Sequence, residues 1–577
     1  MKSRTLLLSA LLAASLTCSL CIGAEAEAPV DARFEQVDQI FAGFDRPGSP
    51  GCAVGIIQDG EFVYTNGYGM ANLEHNIPMG TQSVNYIAST SKQFTALSVL
   101  MASRQGHLSL DDDIRKYIPE IPEYDKPITV RHLLHHTSGI RDYIGLTGLA
   151  GTVEDGYLPA EYVIDLLARQ PALDFTPGTG CSYSNSGYFL LGQLIKRSTG
   201  MTLREFAEKN IFGPLGMTHT FFFDDHSEIV PNRAQGHDMA GEGSFKKSQT
   251  SFDLVGSGGL VTTVEDLFLY DQNFYHNVLE DSSETLLAEF LKPGSLDNGN
   301  PALIHNSDMV YGYGQVTIDY KGHQLVHHSG GYIGFSAQYL RFPEQELSVI
   351  ALCNLYGANA GKLAVSVADL FLPESEQAPA EAEQAAPTAP EFIDVSAQAL
   401  EAWTGRYWGP DYPMGKLEVV LRDGGLWVPM PEEFGPDVEL KPTSESQFVS
   451  TGGRTPGGRF AFSTDEGGMT RLVIAIPAFG QWSLVQMSDF VPTQKDFHAI
   501  SGGYYSYELD SRSHIFVEGG QLQIRIGYSA PSQLIAVDKD TYVASGNSIS
   551  LERDEEGSIS GFTLNSMGFK NIGFKRQ

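Results

Sequence analysis

The run from Glu374 to Pro390 is built of Ala, Pro, Glu and Gln with one Ser and one Thr, and it holds no aromatic side chain. Such a segment has too little apolar surface to offset the entropy of ordering it, so it cannot share a core with its neighbours. Residues 374–391 are therefore expected to be an extended linker and a domain boundary. Each flank must close its own core. At 42% hydrophobic residues in 577, the chain has apolar material for more than one.

Between residues 30 and 373 the pattern mixes helices and strands. Asp31 to Phe44 carries Phe34, Val37, Ile40, Phe41 and Phe44 at helical spacing. Cys52 to Ile57, Asp59-Gly60 and Phe62 to Thr65 read as a hairpin with a tight turn. Gly314 to Tyr320, Gln324 to His328, Phe335 to Phe342 and Leu347 to Cys353 read as successive antiparallel strands, and Asn359 to Leu372 as a closing helix. The early strands must pair with the late ones for the sheet to be of useful size. The expected class is α/β, an α+β sandwich with one antiparallel sheet flanked by helices.

After the linker, short alternating strands and glycine turns take over, and an internal repeat is visible. Trp403-Thr404-Gly405-Arg406-Tyr407-Trp408 lines up with Ile500-Ser501-Gly502-Gly503-Tyr504-Tyr505, and Asp423-Gly424-Gly425 with Glu518-Gly519-Gly520. Leu440 and Phe448 match Leu534 and Tyr542, and Asp465-Glu466-Gly467-Gly468 matches Asp554-Glu555-Glu556-Gly557. Two small antiparallel β-barrels are expected, over 392–496 and 497–577.

The start of the chain reads as an export signal over residues 1–26. Lys2 and Arg4 precede an uncharged run from Leu6 to Leu20, and Ala24-Glu25-Ala26 offers small residues for cleavage. The run is short for a membrane span, and a secreted or periplasmic location is the resulting expectation. An uncleaved anchor and a lipid-bearing Cys18 or Cys21 are the alternatives. The mature chain keeps Cys52, Cys181 and Cys353, whose spacing fits no zinc or redox motif. They are expected as buried small apolar residues, with one disulfide left open. A formal net charge of −32 repels nucleic acid and anionic lipid surfaces.

Three short elements carry chemistry. In Ser89-Thr90-Ser91-Lys92, serine and lysine three apart share a helix face at the start of an apolar-periodic helix. A serine hydroxyl is a weak nucleophile until a base takes its proton, and a buried lysine can become that base. Backbone N–H groups at such a helix start help to hold an oxyanion. Tyr183-Ser184-Asn185 offers a phenol to shuttle the proton and an amide to bind lysine and a substrate carbonyl. His328-Ser329-Gly330-Gly331, at a strand end, offers backbone that approaches a substrate closely, with the Gly331 N–H as second oxyanion donor.

In order and spacing these elements resemble the serine penicillin-recognising and class C β-lactamase family. The run Ile128 to Ile140, Gly213-Pro214-Leu215-Gly216-Met217 and Gly256-Ser257-Gly258-Gly259-Leu260 resemble further landmarks of that family. The resemblance spans residues 30–373 and implies a β-lactamase/transpeptidase-like sandwich working through an acyl-enzyme. It implies Ser89 as nucleophile, Lys92 and Tyr183 exchanging the proton, and Asn185 and His328 lining the site; Ser329, Gly330 and Gly331 are expected beside them as substrate-binding residues, and no cofactor or metal is expected. Two trailing barrels resemble the D-aminopeptidase arrangement and imply that a loop between Gly519 and Ser529 reaches the site; spacers or wall-binding modules are the alternative.

Family β-lactamases and carboxypeptidases usually carry lysine where this chain has His328, so a point charge for a substrate carboxylate is missing unless Arg341 supplies it. Small peptides or amides, including cell-wall peptides, are the expected substrates. A carboxylesterase is the first alternative and a non-catalytic scaffold the second. His132, His135 and His136 lack the carboxylate spacing of zinc motifs and are read as structural. No G-x-S-x-G elbow occurs, which disfavours an α/β-hydrolase.

Overall fold

A computed structural model describes residues 31–373 and 392–577, apart from 153–156, 242, 250, 280–284, 305–307, 410–411, 413–415, 432–434, 453–456, 465–469, 477–479, 545–546 and 567–568. The expected signal over 1–26, the linker over 374–391 and the repeat marker Asp465 to Gly468 lie outside the described residues.

The first unit is a seven-stranded sheet. Its strands are β1 (Cys52–Gln58), β2 (Glu61–Tyr68), β3 (Val310–Gly312), β4 (Gln315–Tyr320), β5 (His323–Tyr332), β6 (Phe335–Phe342) and β7 (Leu347–Cys353). The order is β3-β4-β5-β6-β7-β1-β2, and every pair is antiparallel. Early and late strands meet where β1 pairs with β7, Cys52 opposite Cys353. Those two cysteines form a disulfide, so the expectation of buried apolar thiols is corrected for them. Cys181 stays a thiol.

Helices cover both faces. α1 (Ala32–Phe41), capped by Asp31, and α6 (Ala360–Ala368) bury one face through Val37, Phe41, Ala364 and Val367. On the other lie α2 (Lys92–Arg104), α3 (Tyr143–Ala150), α4 (Asn185–Thr199) and α5 (Val264–His276). Both terminal helices are shorter than their apolar periodicity suggests.

One difference bears on function. β5 runs through Ser329, Gly330 and Gly331 instead of ending at His328. These glycines pair with Ala337 and Ser336 of β6. Glycine is a weak strand former, but a Cβ on Gly330 would lie 2.0 Å from the Ile87 carbonyl oxygen, so close approach selects it here.

Beyond the linker, eight strands between Gly405 and Gln486 form a closed barrel. A nine-stranded sheet between Gly502 and Arg576 curls nearly closed, its edge strands Ser532–Gln533 and Ile535–Ala536 one residue apart in sequence. The repeat is physical. Tyr407 donates its hydroxyl to the Trp403 carbonyl (2.9 Å), and Tyr504 does the same to Ile500 (2.6 Å). Leu440, Phe448, Leu534 and Tyr542 are all buried.

Candidate active site

Ser89 sits in a short 3-10 turn, Ala88–Ser91, that runs directly into α2. Three surroundings fix this turn. Thr90 donates its hydroxyl to the His328 carbonyl of β5 (3.2 Å). Gly330 packs on Ile87 and Thr90. The loop 256–260 is stitched to it by Leu260 N–H to Ser91 Oγ (3.1 Å) and Ile87 N–H to the Leu260 carbonyl (3.0 Å). Ala88, immediately before the serine, has φ of 46°, a left-handed conformation that costs free energy for a residue with a Cβ and is held by the packing around it.

Lys92, one turn on, is fully buried. Its Nζ donates to Ser89 Oγ (3.1 Å), Asn185 Oδ1 (2.8 Å) and the Ser257 carbonyl (2.6 Å). All three ammonium hydrogens are thus used. Burial nevertheless disfavours the charged form and pulls the lysine down to about 7, while the nearby Asp142 carboxylate pushes the other way. At neutral pH a large share of Lys92 is a free amine aimed at the serine hydroxyl.

Tyr183 shares a side-chain hydrogen bond with Ser89, and the Lys92 ammonium lies 4.7 Å from its ring centroid. Burial raises the phenol well above its ordinary value, so it stays protonated. His136, at φ of 58°, packs tilted against that ring, centroids 4.4 Å apart, and accepts the Ser184 N–H at Nδ1 (3.2 Å).

His328 is buried with its ring 6.1 Å from that of Tyr183. Its Nδ1 lies 2.6 Å from the Ser329 carbonyl, which can only accept, so Nδ1 carries the hydrogen and Nε2 accepts from Tyr311 (3.1 Å). Burial, then the Lys92 charge, lowers it to about 3. His328 is neutral across the working pH range and presents no cation to a carboxylate.

The structure thus gathers Ser89, Lys92, Tyr183, Asn185, His328 and Gly330. It does not gather the Ser329 side chain. The pleat of β5 turns Ser329 to the opposite face, where with Gly330, Gly331, His327, Gln338 and Lys362 it lines a cavity of about 450 Å3. Arg341 is no substitute cation either. It is buried, stacked 3.5 Å over Phe274 and bonded to Gln315. The histidines 132, 135 and 136 have structural partners: His132 completes a capping box with Thr129, and His135 packs edge-on against Tyr313.

Two contributors leave little trace in the sequence. The Ser257 carbonyl is a backbone acceptor with no side-chain signature, although the glycine-rich segment around it is conspicuous. Asp142 caps α3 by accepting Ile144 N–H (3.0 Å) and Gly145 N–H (3.2 Å), and it also accepts the Asn185 N–H. Its only hint is a position just past the Ile128 to Ile140 run. Beside this centre a cleft of about 620 Å3 is lined by Ile144, Thr147, Phe252, Tyr332 and Tyr356 among others. The stretch 519–529, expected as a loop, is mostly a strand (Gln521–Ile526), and the turn after it meets the helix walling that cleft: Gly527 packs on the Ala150 carbonyl and Tyr528 N–H donates to the Gly151 carbonyl (3.4 Å).

The sequence profile of the Beta-lactamase family matches residues 33–370, more than half of the chain. The chain belongs to the Beta-lactamase family. Within it, the chain is 29% identical over 314 residues to a penicillin-binding protein of Bacillus subtilis (strain 168), covering 52% of this chain and 66% of that one. It is 27% identical over 307 residues to a D-aminopeptidase of Gluconobacter oxydans (strain 621H), covering 53% and 56%. These matches span less than two thirds of the relatives' own length. Among solved structures, a penicillin-binding protein homologue from Pyrococcus abyssi, described as octameric, superposes with a TM-score of 0.53 at 25% identity, covering 79% of this chain and 99% of that one. That wider coverage shows that the likeness extends past the Beta-lactamase domain into the barrels.

Proposed function

We propose that this protein is a serine hydrolase that forms an acyl-enzyme on Ser89 and cleaves small peptides or amides, in the manner of the D-aminopeptidases it is similar to. The observation that carries this reading is the fully buried Lys92 amine, 3.1 Å from Ser89 Oγ and lowered to about 7. Neutral Lys92 takes the serine proton as Oγ attacks the carbonyl carbon. The N–H groups of Ser89 and Gly331 receive the oxyanion. Tyr183 is held protonated by burial, so it serves as the acid: it protonates the leaving amine and is recharged from Lys92. Water, deprotonated along the same path, then releases the acid and frees Ser89.

A neutral His328 and a spent Arg341 argue against substrates recognised by their carboxylate, and hence against efficient β-lactamase action. Export to an oxidising compartment is part of the proposal. The Cys52–Cys353 bridge supports it, since such bonds persist mainly outside the cytosol. The test is a panel of D- and L-amino acid anilides, p-nitrophenyl esters and a chromogenic cephalosporin, with Ser89→Ala as control. Turnover of the D-anilides, abolished in the control, is expected. Turnover of esters alone would replace the peptidase reading with an esterase; turnover surviving in S89A would end the assignment.

A further inference from the structure

The contact between the second barrel and the catalytic unit is not a generic surface. Glu508 lies in the turn between barrel strands Gly502–Ser506 and Ser511–Glu518. Its Oε2 accepts from Arg141 Nη1 at 2.7 Å, with the side chains only 13% and 3% exposed. Its Oε1 accepts the Gly573 N–H (2.9 Å), which anchors the carboxylate in the barrel. Gln170 bridges the pair, accepting from Arg141 (2.9 Å) and donating to the Glu508 carbonyl (3.1 Å). Asp174 adds a second, longer ion pair to Arg141 Nε (3.5 Å).

The residues next to Arg141 connect this pair to the catalytic lysine. The Arg141 carbonyl accepts Ser186 Oγ (2.7 Å), and the same hydroxyl accepts Tyr143 N–H (2.7 Å). Between them, Asp142 accepts the Asn185 N–H. The turn 141–143 is thereby locked to the first turn of α4, and Asn185 Oδ1 is held against Lys92 Nζ. Buried charged pairs are directional, and removing one member strands the other.

We propose that Glu508 is a positioning residue: the second barrel completes the active site by fixing, through Arg141, Asp142 and Asn185, the amine that activates Ser89. The inference rests on the hydrolase reading. It makes the barrel part of the catalytic geometry through a buried ion pair, independently of any loop that meets substrate.

The test uses the full-length chain and the second-order rate of Ser89 modification by a fluorophosphonate across pH. In that reaction Oγ bonds to phosphorus, fluoride leaves and the proton passes to Lys92. The groups facing Lys92 are Ser89, Tyr183, Tyr188, Asn185, Asp142 and His328. Glu508→Ala and the isosteric Glu508→Gln are expected to slow labelling at pH 8 by about tenfold or more. Both variants leave the Arg141 cation less compensated, which disfavours the ammonium, so the acid limb moves down by about half a pH unit. Ser511→Ala, which removes only the interface bond from Ser511 Oγ to the Ala150 carbonyl (2.8 Å), is expected to change neither readout. Unchanged rate and limb in both Glu508 variants would overturn the proposal, whatever their melting temperatures. A wild-type chain that does not label would overturn the hydrolase reading, and this inference with it.

Discussion

At the residue scale, the proposed activation of Ser89 turns on how far burial moves one lysine. Water to a dry interior is a large penalty for an ammonium, and the Asp142 carboxylate recovers only part of it. The consequence for stability has a definite sign. Lys92 titrates near 7 in the folded chain and near its ordinary 10.5 when unfolded. Between those values the unfolded chain holds the extra proton, so raising pH favours the folded state; below 7 both states are protonated and the effect is constant. Denaturation of wild type against Lys92→Met, measured from pH 7.5 to 10, is therefore expected to move in favour of wild type by about 1 kcal/mol per pH unit. The buried histidines do not blur this reading, since His328 at about 3 and His135 and His327 at about 4 are already neutral there.

At the scale of elements, the site is a junction of four pieces: the turn opening α2, the strand β5, the start of α4 and the loop 256–260. Gly330 is where two of them touch. Gly330→Ala would set a Cβ 2.0 Å from the Ile87 carbonyl oxygen, a backbone atom that cannot rotate away. β5 must then retreat from the serine turn, and a misplacement of about 1 Å costs on the order of 100-fold in rate. Steady-state kinetics should show that loss in kcat. The same junction separates what a sequence can reveal from what it cannot. The hairpin at 52–65 and the late strands are legible because alternation and tight-turn residues are local signals. Ser89, Lys92, Tyr183 and Asn185 are legible because their side chains form a spaced pattern. The Ser257 carbonyl is not, because any residue has one. Asp142 is not, because its role exists only once α3 and α4 lie side by side. The face of β5 occupied by Ser329 depends on where the strand ends, and the glycines hide its continuation past His328.

At the scale of the whole molecule, the catalytic unit is held at its two ends. Cys52 opens the sheet, Cys353 closes it, and the bond joins residues 301 apart on neighbouring strands. Cys52, Cys181 and Cys353 are visible in the sequence, but the pairing of Cys52 with Cys353 requires the register of β1 on β7. Cross-linking so long a loop restricts the unfolded chain, and its loss costs about 2–5 kcal/mol in typical cases. A Cys52→Ala, Cys353→Ala double variant should melt lower than wild type while Cys181→Ala does not, read by thermal denaturation under matched conditions. The second barrel grips the same unit from another side, through Glu508 on Arg141 and Gly527 on Ala150. The site sits where strand, helix and barrel contacts converge.

Whether a neutral Lys92 activates Ser89 can be read from the rate of acyl-adduct formation on the intact protein as a function of pH, by rapid quench with a p-nitrophenyl ester and mass spectrometry. The expected result is one acyl group, mapped to Ser89, forming at a rate that rises through a midpoint near 7 as Lys92 loses its proton. An adduct on any other residue, or a rate on Ser89 that is flat from pH 5 to 9, would contradict it.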